Sequence, residues 1–199
     1  MEFPEITVKQ VFRRIPDDEI EKVSECAWNK AFHSLGNCEI MSQKKLGSGR
    51  FDALVRYYDS KWERYAWILI EYKRAKRFYS RDLWKESLCQ LFMYLGNFFY
   101  DVSLEGTDDF AGIVTASCDH FYFIPRENIV KLMEKFEPIW KEHFRVTPNE
   151  AYKVNDIKWF IESHLGEIFE NAVKIERYGD GDARLDEIIK SIYEEWNLR

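Results

Sequence analysis

The sequence predicts an α/β chain of the α+β kind, a core of helix, three strands, helix and two strands followed by a helical C-terminal part. Three observations carry this. Apolar residues recur at helical spacing in two early stretches, form short alternating or continuous runs between and after them, and return to helical spacing beyond Pro125. The length of 199 residues suits one domain. The 46% hydrophobic and 32% charged content is that of a folded chain, and a 17% aromatic share fills a core with few residues.

The elements follow in order. Ile15-Pro16-Asp17-Asp18-Glu19 reads as a helix start, because acids favour the positive end of the helix dipole and Asp17 can cap free N–H groups. Ile20, Val23, Ala27, Ala31 and Leu35 then keep helical spacing until Gly36-Asn37, giving a helix over about 18–35. Cys38 to Leu46 is a weak strand and Gly47-Ser48-Gly49 a turn. Phe51 to Tyr58 is a strand with Phe51, Ala53, Val55 and Tyr57 on one face, and a polar loop joins it to Tyr65–Lys73. That second run, carrying Trp67-Ile68-Leu69-Ile70, is the strongest strand, and the short connection predicts an antiparallel hairpin.

A helix over Asp82 to about Tyr100 places Trp84, Leu88, Leu91, Leu95 and Phe98 on one face. Strands are expected at Phe110–Ala116 and His120–Ile124, with Pro125 closing the second. Helices are expected over 127–144, kinked or interrupted at Pro138, over 150–175 with a break near Gly166, and over 185–196. The organisation is thus a core over residues 1–125 and a helical part over 126–199 packed on it.

Composition excludes several classes. No apolar run approaches the ~18 residues that cross a bilayer, and Met1-Glu2-Phe3-Pro4-Glu5 carries no secretory n-region, so a cytoplasmic protein without membrane partners is expected. Cys26, Cys38, Cys89 and Cys118 form no C-x-x-C motif and read as reduced thiols. His33, His120, His143 and His164 have no zinc-ligand spacing. Phosphate-cradling glycine loops and the G-x-S-x-G elbow are missing, so ATP hydrolysis, nicotinamide chemistry and serine hydrolysis have no support.

The net charge of -6 hides an asymmetry. Between Met41 and Arg81 there are 11 basic and 4 acidic residues, a local +7 inside an otherwise acidic chain. Such a segment can bind polyanions while the whole stays soluble.

The chemistry gathers on the hairpin. Trp67, Leu69, Glu71 and Lys73 share one face. If the hairpin closes with Tyr58 opposite Tyr65, Asp52 faces Glu71, and opposed Cβ atoms lie ~4.5–5.5 Å apart. Two like charges so placed need a positive group between them. Lys73 supplies part of it, and a hard divalent cation, Mg2+ or Mn2+, is the better answer, with the Tyr72 carbonyl as a further ligand. Lys73 would hold or activate water, or neutralise charge developing on a phosphate. A one-residue slip would put Asp52 on the other face. Arg74, Lys76, Arg77 and Arg81 follow directly and would contact phosphates.

Asp52, followed 19 positions later by Glu71-Tyr72-Lys73 at the end of an apolar strand, resembles the core of the PD-(D/E)XK nuclease superfamily, with Phe51 where the name puts proline. The order of elements is similar, and the resemblance covers about 17–125. It implies a restriction-endonuclease-like fold, a central mixed sheet flanked by helices. The helix carrying Gln90 and Tyr94 is similar to the family's glutamine-containing helix, which makes Gln90 a catalytic candidate that orients a neighbour or a phosphate. Many members carry a first-helix glutamate, for which Glu21 and Glu25 are candidates, Glu21 lying closer to the apolar stripe.

The implied activity is Mg2+-dependent hydrolysis of phosphodiester bonds, in DNA before RNA, in restriction, defence or repair. The competing expectation is a nuclease-fold binding protein without turnover, docking a partner through its acidic C-terminal helices; a homodimer is also open. A third is an unrelated α+β domain with a chance E-x-K.

Overall fold

The apolar run Trp67-Ile68-Leu69-Ile70 lies in the middle of the protein, in a strand that has a neighbour on each side. The computed structural model describes residues 5–16, 21–36, 38–42, 45–46, 49–59, 63–74, 83–101 and 110–197. Its elements are α1 (Val8–Phe12), α2 (Glu21–His33), β1 (Cys38–Ser42), β2 (Lys45–Leu46), β3 (Gly49–Arg50), β4 (Ala53–Asp59), β5 (Arg64–Tyr72) and α3 (Leu83–Gly96), which runs into a π-helical turn, Asn97–Asp101. There follow β6 (Phe110–Ala116), β7 (His120–Pro125), α4 (Arg126–His143), a 3-10 helix (Pro148–Lys153), α5 (Asn155–Ser163), α6 (Leu165–Ile168), β8 (Val173–Glu176) and α7 (Leu185–Asn197).

Six strands form one mixed sheet in the order β1-β4-β5-β6-β7-β8, while β2 and β3 pair separately. Every pairing in the large sheet is antiparallel except β5 with β6. A parallel pair needs a crossover, and α3 supplies it. Every residue of β6 is buried, as expected for a strand covered on both faces.

One face carries Ala53, Val55, Tyr57, Ile68, Ile70 and Tyr72 against Trp28 and Phe32 of α2, Val11 and Phe12 of α1, and Ile188 and Ile189 of α7. The other carries Leu54, Leu69, Ile113 and Ile124 against α3, α4 and α5. The result is three layers, helices on both sides of a mixed sheet. α3 is apolar around most of its girth because the sheet covers one side and C-terminal helices the other.

Several expectations need correction. Val173–Glu176, placed in a helix from sequence, is a strand that pairs with β7 and completes the sheet, so the part after Pro125 is not purely helical. Pro138 does not interrupt α4, which continues through it to His143. It stands on the exposed side, as does Glu134, whose carbonyl loses its usual donor but faces water. Phe51 does not share a face with Ala53, Val55 and Tyr57, because the chain bends at Asp52 and turns the ring toward α3. The buried face of α2 centres on Trp28, Ala31 and Phe32, since two large rings bury more area than the Val23 and Ala27 stripe. α1 was not legible; Thr7 caps it, accepting from the Gln10 N–H while the Gln10 side chain accepts from Thr7 N–H.

Gly112 is required where it stands. Its φ is +154°, the β5–β6 register shifts beside it, and a Cβ would lie 2.4 Å from the Ile124 carbonyl oxygen. Among the described residues no helix is long and apolar enough to cross a membrane.

Candidate active site

The expected hairpin register holds. Tyr58 pairs with Tyr65 and Ala53 with Ile70, which sets Asp52 one position beyond the last pair, opposite Glu71. The ladder stops there because Asp52 bends away and its side chain takes over the bonding. Asp52 Oδ2 accepts from the Tyr72 N–H at 2.7 Å, so the carboxylate is fixed to the strand that carries Glu71 and Lys73. Alternation along β5 then sorts the side chains. Trp67 and Leu69 pack toward α3, and Glu71 follows them. Tyr72 points the other way, and its hydroxyl donates to Asn29 Oδ1 on α2 at 2.7 Å.

Glu71 and Lys73 are 3% and 8% exposed, low enough for their charges to act with little screening. Lys73 Nζ donates to Glu71 Oε1 at 2.6 Å. Glu71 Oε2 is buried with no hydrogen-bond partner among the described residues. Burial pushes the Glu71 carboxyl up to about 8; Lys73 opposes this, and the nearby Asp52 charge adds to it. Burial alone would lower Lys73, but the Glu71 carboxylate beside it, with Asp52 and Glu21, holds it above the ordinary lysine value. Lys73 is therefore a firm ammonium, a donor rather than a base. Its backbone is pinned as well, the N–H donating to Ala116 O at 3.0 Å.

α2 contributes Glu21. It is half-buried, and burial raises its carboxyl while Lys73 lowers it, Asp52 raises it and Arg74 lowers it again. These neighbours place Glu21 in the field of the site. Glu25, one turn on, is held by Lys22 at 2.8 Å. The three acids of the site do not form a tight triad, however. Among the described residues, the group of three acidic or histidine side chains whose donor atoms converge within 4.8 Å is Glu142, His143 and Asp156, where α4 meets α5. Asp52 and Glu71 are the pair that the hairpin register sets opposite each other, and Glu21 joins them from α2.

Other candidates are placed less centrally. Gln90 is buried on α3, but its Nε2 donates to Asn149 Oδ1 at 2.9 Å, so its hydrogen bond goes to the 3-10 helix and not to the acids. Tyr94, one turn on, is the α3 side chain that reaches the site. Its hydroxyl donates to the Arg50 carbonyl, two residues before Asp52, and burial, then Glu71 and Asp52, raise its pKa. Arg74 is exposed next to Lys73. Lys76, Arg77 and Arg81 lie outside the described residues.

Sequence reasoning missed a second row across the sheet. Thr115 sits beside Glu71 in the parallel β5–β6 register, and its Oγ1 lies 3.1 Å from Nε2 of the buried His120. Nothing local marks Thr115. Only the parallel register, which depends on the α3 crossover, brings it to Glu71.

The donors present are hard oxygens, which suit a hard divalent cation better than a soft one, and the unsatisfied Glu71 Oε2 is an atom such an ion would complete. Fold and site together define a three-layer α/β/α protein with a pair of acids and a buried lysine at one end of its central sheet. No family model, curated protein or solved structure matches the chain.

Proposed function

We propose that this chain is a metal-dependent nuclease of the PD-(D/E)XK type, with a restriction-endonuclease-like core, hydrolysing phosphodiester bonds of nucleic acid, DNA before RNA. The observation that carries the reading is the buried Glu71 carboxylate, one oxygen on Lys73 and the other without a hydrogen-bond partner among the described residues, facing Asp52 across the hairpin. Most buried polar atoms have a partner, so an open oxygen inside a buried ion pair calls for a ligand. Asp52, Glu71 and the Tyr72 carbonyl would hold Mg2+ or Mn2+, with Glu21 next in reach. When bound, the ion supplies Lewis acidity toward a phosphoryl oxygen and acidifies water.

The chain's own groups do the rest. The Asp52 carboxylate is fixed by the Tyr72 N–H, so one acid is oriented before any ligand arrives. Tyr94 holds the Arg50 carbonyl and with it the bend that presents Asp52. Lys73, kept cationic by Glu71, stabilises negative charge developing on the phosphate and orients water by donation. Arg74 contacts a flanking phosphate.

The test is incubation with plasmid, linear and single-stranded DNA and with RNA, in Mg2+ or Mn2+, beside Lys73→Ala. Cleavage that EDTA and the variant both abolish supports the reading. Salt-sensitive binding without cleavage on every substrate would instead assign a nuclease-fold binding protein.

A further inference from the structure

Two strands over from Glu71, beyond β6, lies a cavity of about 140 Å³ that the nuclease chemistry does not use. It opens between the start of α3 and the β7–β8 edge. Its floor is buried: His120 and Tyr122 are 5% and 4% exposed, with ring centroids 5.0 Å apart. Trp84 stands edge-on to Tyr122 at 6.1 Å. At the rim are the exposed Arg74 and Tyr178, the latter 76% exposed although it is a large aromatic.

The polar groups decide what fits. Two carboxylates line the cavity, Asp119 and Glu176. Asp119 Oδ1 lies 3.1 Å from His120 Nδ1, and Glu176 Oε1 accepts from the Tyr122 hydroxyl at 2.7 Å. Paired acids repel a phosphate and accept from amino and ring N–H donors. Aromatic walls favour a flat ring. The one cation lining the cavity among the described residues, Arg74, is at the rim and follows Lys73 directly in the chain. The preferred ligand is therefore a flat heterocycle with hydrogen-bond donors on its edge toward Asp119 and Glu176 and an anion attached on the Arg74 side.

A nucleobase with its backbone phosphate has that form. The cavity is also wired to the site, since His120 bonds Thr115, the strand neighbour of Glu71. We propose that this cavity takes a single unpaired nucleobase of the bound strand, so that single-stranded, overhanging or branched nucleic acid is the preferred substrate. This rests on the nuclease reading above. A paired base presents no free ring face and cannot enter without leaving its stack.

The experiment uses the full chain with calcium in place of magnesium, and an oligonucleotide carrying one 2-aminopurine, as a single strand and within a blunt duplex. Single-strand binding should quench the probe and be stronger than duplex binding. Tyr178→Ala should weaken single-strand binding about fivefold or more and relieve the quenching, and Tyr178→Phe should restore both. Tyr178 is exposed, so its loss leaves the fold intact. Equal affinity for both forms, an unquenched probe and an indifferent Tyr178→Ala would overturn the pocket. Cleavage of single-stranded and plasmid DNA in magnesium, run in parallel, tells the two readings apart, because cleavage of either leaves the nuclease standing and cleavage of neither removes both. Competition by free deoxyguanosine monophosphate at the oligonucleotide's own affinity would assign the cavity to a free nucleotide and overturn the strand proposal.

Discussion

Cation binding should be controlled by one proton on Glu71. Its carboxyl is pushed up to about 8 by burial, against the pull of Lys73. Below that value an incoming cation must displace a proton, and the apparent Kd rises in proportion to the protonated excess. For a single group at about 8, the penalty is about twofold at pH 8 and about a hundredfold at pH 6. Affinity for Mg2+ should therefore fall about 50-fold between those pH values, or about 2.3 kcal/mol. Calorimetric titration with Mg2+ or Mn2+ in buffers of different ionisation enthalpy measures both the Kd and the protons released, with close to one proton expected at pH 6.5. The stability of metal-free protein has the matching sign. A folded-state value above the ordinary carboxyl range gives stability that is complete below about 4.5 and is lost as pH rises through about 8. In EDTA the Tm should fall across that window, and Mg2+ should restore it most at the alkaline end. A Kd that stays flat from pH 8 to pH 6 with no proton release would refute the reasoning.

Other perturbations follow from the same contacts. Lys73→Ala should abolish cleavage and destabilise the fold by up to about 3 kcal/mol at pH 8, where Glu71 loses its counter-ion and its carboxyl, pushed up further, must take up a proton, and by less at pH 6, where it is already protonated; urea unfolding at both pH values checks this. Asp186→Asn should cost about 2 kcal/mol in the same assay, because the fully buried carboxylate holds Arg184 Nη2 at 2.8 Å and Lys190 at 3.3 Å. Burial alone would raise the Asp186 carboxyl, but the Arg184 and Lys190 bonds hold it below its ordinary value of 3.8, so its contribution is present above that pH and lost as pH falls through the lower folded value. Gly96→Ala should lower stability by about 2 kcal/mol or more in a thermal melt, since its Cβ would lie 2.1 Å from Cδ1 of the buried Trp140.

The hairpin was legible because its loop fixes the register and its apolar run fixes the face. Asp52 and Glu71 could be set opposite each other from numbering alone. The partner of Gln90 was not legible, because Asn149 lies 59 residues away on a short 3-10 helix. Thr115 escaped for a related reason, since a parallel register depends on how a crossover helix packs. Val173–Glu176 is too short to show its period, and its Val173 and Ile175 fit a helix tail as well as a strand. The five residues of α1 gave no periodic signal either, and only the Thr7–Gln10 box marks its start. Glu21 was chosen from a stripe that turned out rotated, yet Glu21, Trp28 and Phe32 share the face that α2 presents to the sheet.

The two ends of the described chain are tied together. Val8 N donates to Ala183 O and Leu185 N to Ile6 O, and Lys9 N donates to Asp182 Oδ1. The first helix packs on Trp28 of α2 early, but its backbone bonds to residues 182–183 form only after some 170 further residues exist. On the ribosome the amphipathic segment from Ile6 to Ile15 lacks the cover of Leu185, Ile188 and Ile189 until that stretch has been made. The layer over α1, α2 and α7 thus closes late, and a chain halted before Leu185 would carry the hairpin and its acids under an unfinished roof.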